Sequence, residues 1–232
     1  WQHTPRLLIV RNDKLGDFML AWPAFALLKH HWPEAHLSAL VPAYTAPMAR
    51  LCPWIDEVVI DQRGTSFAED LIRLRRQFRE GQYAAILTLF STGRIALTAC
   101  LAGIPYRLAP ATKLAQLCYN HRLTQRRSRS EKPEYAYNLD LGYRLLHDLQ
   151  GLGIRTTSGT DDFLPPAIQR PLLQFDCQEI TQLREAFCDA RQLPPASRLI
   201  FIHPGSGGSA NNLSPAQYAV LANSLQLSLI HI

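Results

Sequence analysis

The stretch that most constrains this chain is Arg6 to Ala21, RLLIVRNDKLGDFMLA. Leu7, Leu8, Ile9 and Val10 form an unbroken apolar run, too short to span a bilayer as a helix and rich enough in branched side chains for a strand buried on both faces. Asn12, Asp13, Lys14 and Gly16 then supply turn chemistry, and Asp17 stands where an amphipathic helix begins. A strand that enters a helix through a tight turn opens an α/β domain, whose ligands bind outside the carboxyl ends of the strands. Asp17 therefore belongs at the crevice.

Two readings compete for the Asp17 carboxylate. As an N-cap it accepts the unpaired N–H groups of the first helical turn. As a functional group it stays ionised at the positive end of a helix and takes a proton from a substrate hydroxyl. Both use the same oxygens.

The rest of the chain continues in the same alternating manner. A helix is expected from about Asp17 to His31, kinked where Pro23 removes a hydrogen bond, followed by strands over His36–Val41 and Glu57–Asp61. A helix with a basic face covers Ser66 to Glu80, and YAAILTLF, Tyr83 to Phe90, reads as a buried strand. That strand delivers Ser91, Thr92, Gly93 and Arg94 to the Asp17 crevice, either as an anion site or as ordinary capping with a surface Arg. A helix over Ile95–Ala102, a short strand over Tyr106–Leu108 and a long helix from Glu134 to Leu152 follow. Alternation of this kind predicts a parallel sheet.

Gly151 to Pro171 carries linker chemistry. Beyond it come an amphipathic helix over Asp176–Arg191, a strand over Arg198–Phe201, the loop HPGSGGSANN from His203 to Asn212, and a helix from Ser214. Strand, Gly/Ser loop and capped helix make a ready anion site, although the spacing is neither a P-loop nor the dinucleotide fingerprint.

Composition narrows the partners. With 24 Lys and Arg against 19 Asp and Glu the formal charge is +5, which suits nucleic acid, an anionic membrane or a phosphorylated substrate. The densest basic run, RLTQRRSRSEK from Arg122 to Lys132, lacks the interleaved aromatics of a single-strand binder and reads as a solvated loop. Nucleic acid is therefore not expected. Five scattered cysteines and eight histidines without ligand spacing predict no metal and no disulfide framework. The lack of a spanning segment or signal-like start makes a cytoplasmic location the expectation.

Arg11 to Val41 resembles the N-terminal signature of glycosyltransferase family 9, the ADP-heptose:lipopolysaccharide heptosyltransferases. Pro53 to Val58, PWIDEV, resembles the family's segment before the third strand, and Phe201 to Leu225 is similar to its HPG segment. The resemblance implies an α/β fold of GT-B type with two Rossmann-like domains. The expected boundaries are an acceptor-binding domain at 1–155, a linker at 156–172 and the start of a donor-binding domain at 173–232, incomplete in this chain.

It also implies an inverting, metal-independent transfer of a heptose from ADP-heptose to the lipopolysaccharide inner core, without a cofactor. Asp17 would be the base, Asn12, Lys14, Gly16 and Arg94 would bind the acceptor, and Tyr106, Arg107 and the stretch near Lys113 would lie on the acceptor side. His203, Pro204, Gly205, Ser206, Gly207, Gly208 and Ser209 would hold the donor diphosphate. Asn211 stands where many relatives of this kind carry Lys, and a neutral amide cannot stabilise a developing diphosphate charge in the same way. The net charge agrees with a phosphorylated acceptor and peripheral contact at the inner membrane. Transfer of another nucleotide-activated sugar to O-antigen or capsule, and a noncatalytic acceptor-binding fragment, are the alternatives.

Overall fold

The computed structural model describes residues 5–64, 66–111, 114–129, 131–151, 175–204 and 212–224. The chain divides into two compact units, Trp1–Leu173 and Gln174–Ile232.

The first unit is built on a six-stranded sheet: β1 (Arg6–Val10), β2 (His36–Val41), β3 (Glu57–Ile60), β4 (Ala85–Thr88), β5 (Tyr106–Pro110) and β6 (His121–Leu123). Every pairing is parallel and the order is β3-β2-β1-β4-β5-β6. From β1 the chain works outward to β3, then returns to the other side of β1 and works outward again to β6. The order reverses between β1 and β4, where Val10 lies opposite Thr88. A doubly wound sheet leaves its binding crevice at that reversal.

The apolar run of β1 is buried on both faces, as its composition demands. Leu7 and Ile9 join a core with Phe18, Phe25, Leu28, Leu141, Leu145 and Leu149, while Leu8 and Val10 join another with Leu74, Phe78, Ile86, Ile95 and Ala99. Alternate side chains of a strand point to opposite faces, so one four-residue run anchors both helical layers.

The expected kinked helix is two helices, α1 (Leu15–Met19) and α2 (Trp22–His31), with Pro23 in the first turn of α2. Proline has no N–H to donate and its ring excludes a preceding helical turn, so it starts a helix better than it continues one. Asp17 is accordingly not an N-cap. Lys14 takes that position, with no side-chain hydrogen bond, and Asp17 is the third residue of α1.

Two short turns of helix link β2 to β3, the second being α3 (Ala46–Arg50). α4 (Phe67–Glu80) and α5 (Gly93–Ala102) follow β3 and β4, and α6 (Glu134–Gly151) packs on α2. Gly103 ends α5 at φ 77°, a left-handed conformation that a side chain would strain. β6 and the 3₁₀ turn Arg127–Arg129 stand where a solvated loop is expected. Tyr106 and Arg107 lie at the amino end of β5, away from the crevice: Tyr106 is buried and donates to Asp148, and Arg107 donates to the Ile104 and Cys118 carbonyls. Both serve the fold. Lys113 and most of the linker lie outside the described residues.

In the second unit α7 (Cys177–Ala190) is capped by Asp176, whose carboxylate accepts from the Gln178 and Glu179 amides. α8 (Pro215–Ser224) opens with a reciprocal box, the Ser214 amide donating to Gln217 and the Gln217 amide to the Ser214 hydroxyl. The segment expected to be a strand, Arg198–Phe201, pairs with no strand among the described residues. Its pattern is apolar enough for a strand, but a strand exists only with a ladder partner.

Candidate active site

The crevice is organised by Arg11. Its amide continues the ladder of β1 by donating to the Leu40 carbonyl, so the side chain emerges from a fixed point at the end of the strand. The guanidinium is only 3% exposed and serves three carboxylates. Nε donates to Asp13 Oδ1 at 2.8 Å, Nη1 to Glu134 Oε1 at 2.7 Å, and Nη2 lies 3.3 Å from Asp17 Oδ1. Nη1 also donates to Asn138 Oδ1 at 3.3 Å, and Phe90 lies 5.9 Å away across the crevice. A buried cation needs this many partners to offset its lost hydration.

Asp17 thus spends one oxygen on Arg11 while its side chain stays 35% exposed. Among the described residues Oδ2 has no hydrogen-bond partner. Asp13 is more enclosed. Burial pushes its carboxyl above the ordinary carboxylate value, Arg11 pulls the other way, and the nearby Asp17 charge adds to the rise. The Tyr44 hydroxyl donates to the Asp13 carbonyl and holds the turn. Gly16 is exposed, and a Cβ there would meet no atom within 4 Å, so the turn leaves open space beside Asp17.

A second node lies at the end of β3. The Asp61 carboxylate is buried, accepts from Asn12 Nδ2 at 2.7 Å and pairs with Arg94 Nη2. The guanidinium that the sequence offers to a phosphate is therefore already neutralised. Thr92 caps α5 by accepting from the Ile95 amide, and the Ser91 hydroxyl donates to Tyr119. Thr92 thus serves as the cap, and Asp61 is the partner of Arg94 that spacing alone does not reveal. Asn12 and Arg94 share Asp61 Oδ2 there, but Lys14 stands apart as an exposed cation.

Beyond the expected residues the crevice thus recruits Arg11, Asp13, Tyr44, Asp61, Glu134 and Asn138. The first two sit in the turn already singled out; the others come from distant segments with no local signal. Of the expected diphosphate loop, His203 and Pro204 are described and exposed, and Gly205 to Ser209 lie outside the described residues. Among the described residues no cluster of His, Cys, Asp and Glu could hold a metal, and no helix is long and apolar enough to cross a membrane.

No family model matches the chain. It is 44% identical over 220 residues to a Haemophilus influenzae protein named "Putative glycosyltransferase", covering 95% of this chain and 60% of that protein. The glycosyl transferase family 9 structure from Veillonella parvula DSM 2008 superposes with a TM-score of 0.70 at 16% identity, over 96% of this chain and 60% of that one. The Escherichia coli ADP-heptose lps heptosyltransferase II gives 0.69 at 20% identity, over 95% and 61%. The chain therefore spans about three fifths of the length of each of these relatives. The structural likeness establishes the α/β fold of GT-B type, and with the sequence relationship it supports assignment of the chain to glycosyltransferase family 9.

Proposed function

We propose that the whole protein transfers a heptose from ADP-heptose to an inner-core lipopolysaccharide acceptor, with inversion and without a metal. The observation that carries this reading is Asp17 beside the switch point of the sheet, tied by one oxygen to buried Arg11 while its side chain stays 35% exposed. The acceptor hydroxyl hands its proton to Asp17 as its oxygen attacks the anomeric carbon. The bond from that carbon to the diphosphate breaks on the opposite face, and ADP leaves with the electron pair. Arg11 holds the carboxylate in place.

Asn12, Lys14 and Gly16 line the acceptor side. Arg94 acts there through its pair with Asp61, as a fixed polar wall rather than a free cation. His203 to Ser209 hold the leaving diphosphate, with Gly205 to Ser209 as its backbone donors. The acceptor's lipid places the crevice at the membrane surface, in peripheral electrostatic contact.

Replacing Asp17 by Asn keeps shape and removes the base. In the full-length protein, turnover of ADP-heptose with a core acceptor should fall by about 10²- to 10⁴-fold with the melting temperature little changed. Normal turnover would sink the base assignment. Equal turnover with UDP- or GDP-sugars would instead overturn the choice of donor.

A further inference from the structure

The crevice is polar, but most of its charge is already committed. Arg11 serves Asp13, Asp17 and Glu134, and Asp61 serves Arg94 and Asn12. Phe90 lies open among these groups. It is 41% exposed although Leu87 and Leu89 just before it are buried. The Leu89 amide donates to the Val10 carbonyl at 2.9 Å, so the ladder between β1 and β4 runs to that residue and Phe90 is the first one past it. Its backbone is therefore fixed at the carboxyl edge of the sheet, where the strand order reverses.

A single exposed apolar residue is ordinary on a protein surface. Phe90 differs in what it adjoins. The Arg11 guanidinium lies over its ring, 5.9 Å from the centroid, and Nη2 of the same guanidinium lies 3.3 Å from Asp17 Oδ1. Ring and carboxylate thus flank one planar cation, a separation that a single sugar residue can bridge. Tyr44, another exposed aromatic at this turn, donates its hydroxyl to the Asp13 carbonyl, which accounts for its place. Phe90 has no polar atom to satisfy. The aromatic surface that Arg11 leaves open matches the C–H face of a pyranose, whose slightly positive hydrogens pack on the negative face of a ring while the hydroxyls at its edge stay free for polar partners.

Resting on the heptosyltransferase reading, we propose that Phe90 is the stacking platform for the acceptor sugar. The apolar face of the pyranose lies on the Phe90 ring, and its attacking hydroxyl turns toward Asp17. The platform selects acceptors that present an unbroken C–H face and takes no part in the proton transfer.

The test is steady-state kinetics of the full-length protein with a core acceptor oligosaccharide, beside titration calorimetry of the same oligosaccharide without donor. Phe90→Ala should raise the acceptor KM and weaken acceptor binding about tenfold, with kcat and the donor KM changed less than about twofold. Phe90→Trp should keep the wild-type acceptor KM. Phe90→Leu fills the space without a flat face and should behave as Phe90→Ala does. These two variants keep the side chain large, so the comparison stands even where Phe90→Ala folds poorly. Leu101→Ala, at a side chain 46% exposed in the last turn of α5, should behave as wild type.

A Phe90→Leu protein with the wild-type acceptor KM would overturn the platform. So would a fall in kcat at unchanged acceptor KM, which would assign Phe90 to packing on Arg11 and so to the placement of Asp17. If wild type does not bind the core oligosaccharide, the heptosyltransferase reading falls and the platform with it. If wild type and Phe90→Leu bind it equally, the platform falls alone.

Discussion

Arg11, at the end of the first strand, and Glu134, the first residue of α6, share an ion pair of 2.7 Å across 123 positions of sequence. The pair locks the amino end of α6 over the crevice, and Asn138 one turn on reinforces it by donating to the Leu20 carbonyl at 3.0 Å. It makes the turn after β1 and the helix that closes the unit a single structural feature. The Asp17 side chain takes its position from that feature.

Replacing Arg11 with Met should be among the most damaging changes in the chain. It leaves Asp13 enclosed without its cation and Glu134 with Arg127 alone, and breaking a buried pair in this way costs about 3 kcal/mol or more. Glu134→Gln keeps a hydrogen-bond acceptor and should cost less. Urea denaturation of both variants measures the difference, and equal stability would remove Arg11 from the centre of the site.

Two glycines should respond in opposite ways. A Cβ on Gly142 would come within 2.9 Å of the Leu27 Cδ2 atom at the α2–α6 contact, where Leu27 is fully buried and has nowhere to move. Gly142→Ala should therefore lower stability by about 1–3 kcal/mol. Gly16→Ala should fold normally, because nothing stands within 4 Å. If it nonetheless lowers turnover in the full-length protein, a substrate approaches there.

Stability should fall in acid. Burial alone would raise the carboxyls of Asp56 and Asp148. The Lys29 ammonium and the Leu37 amide outweigh burial at Asp56, and Arg144 and the Tyr106 hydroxyl outweigh it at Asp148. Both carboxyls are held below their ordinary values. A carboxyl depressed in the folded state contributes its stability above its unfolded pKa, and that stability is lost as pH falls through the folded one. The loss should therefore begin near pH ~4 and grow below it. Lys29→Met should flatten this dependence in melting curves taken between neutral and acid pH.

The five thiols should separate by reactivity. Burial pushes the Cys52 thiol up to about 12, and Cys188 is fully enclosed, whereas Cys100 and Cys177 are exposed. Alkylation followed by peptide mapping should label Cys100 and Cys177 first, and Cys52 and Cys188 only on unfolding. Early labelling of Cys52 would show that the helix layer over it opens readily.

The sequence by itself determined the sheet and the place of the crevice. An apolar run such as Leu7–Val10 can satisfy both its faces only inside a doubly covered strand, and the turn that follows must then open at the carboxyl edge. The position of Asp17 in the first helical turn after the strand was legible for the same reason. The tertiary structure alone decided what Asp17 touches, because its partner Arg11 is steered by Glu134 and Asn138 from the far end of the unit. It also decided that Asp61 pairs with Arg94 and that a 3₁₀ turn over Arg127–Arg129 stands in the basic run. Local pattern reports burial and backbone preference, which act over a few residues. Ion pairs between segments more than a hundred positions apart exist only once the sheet has brought those segments together.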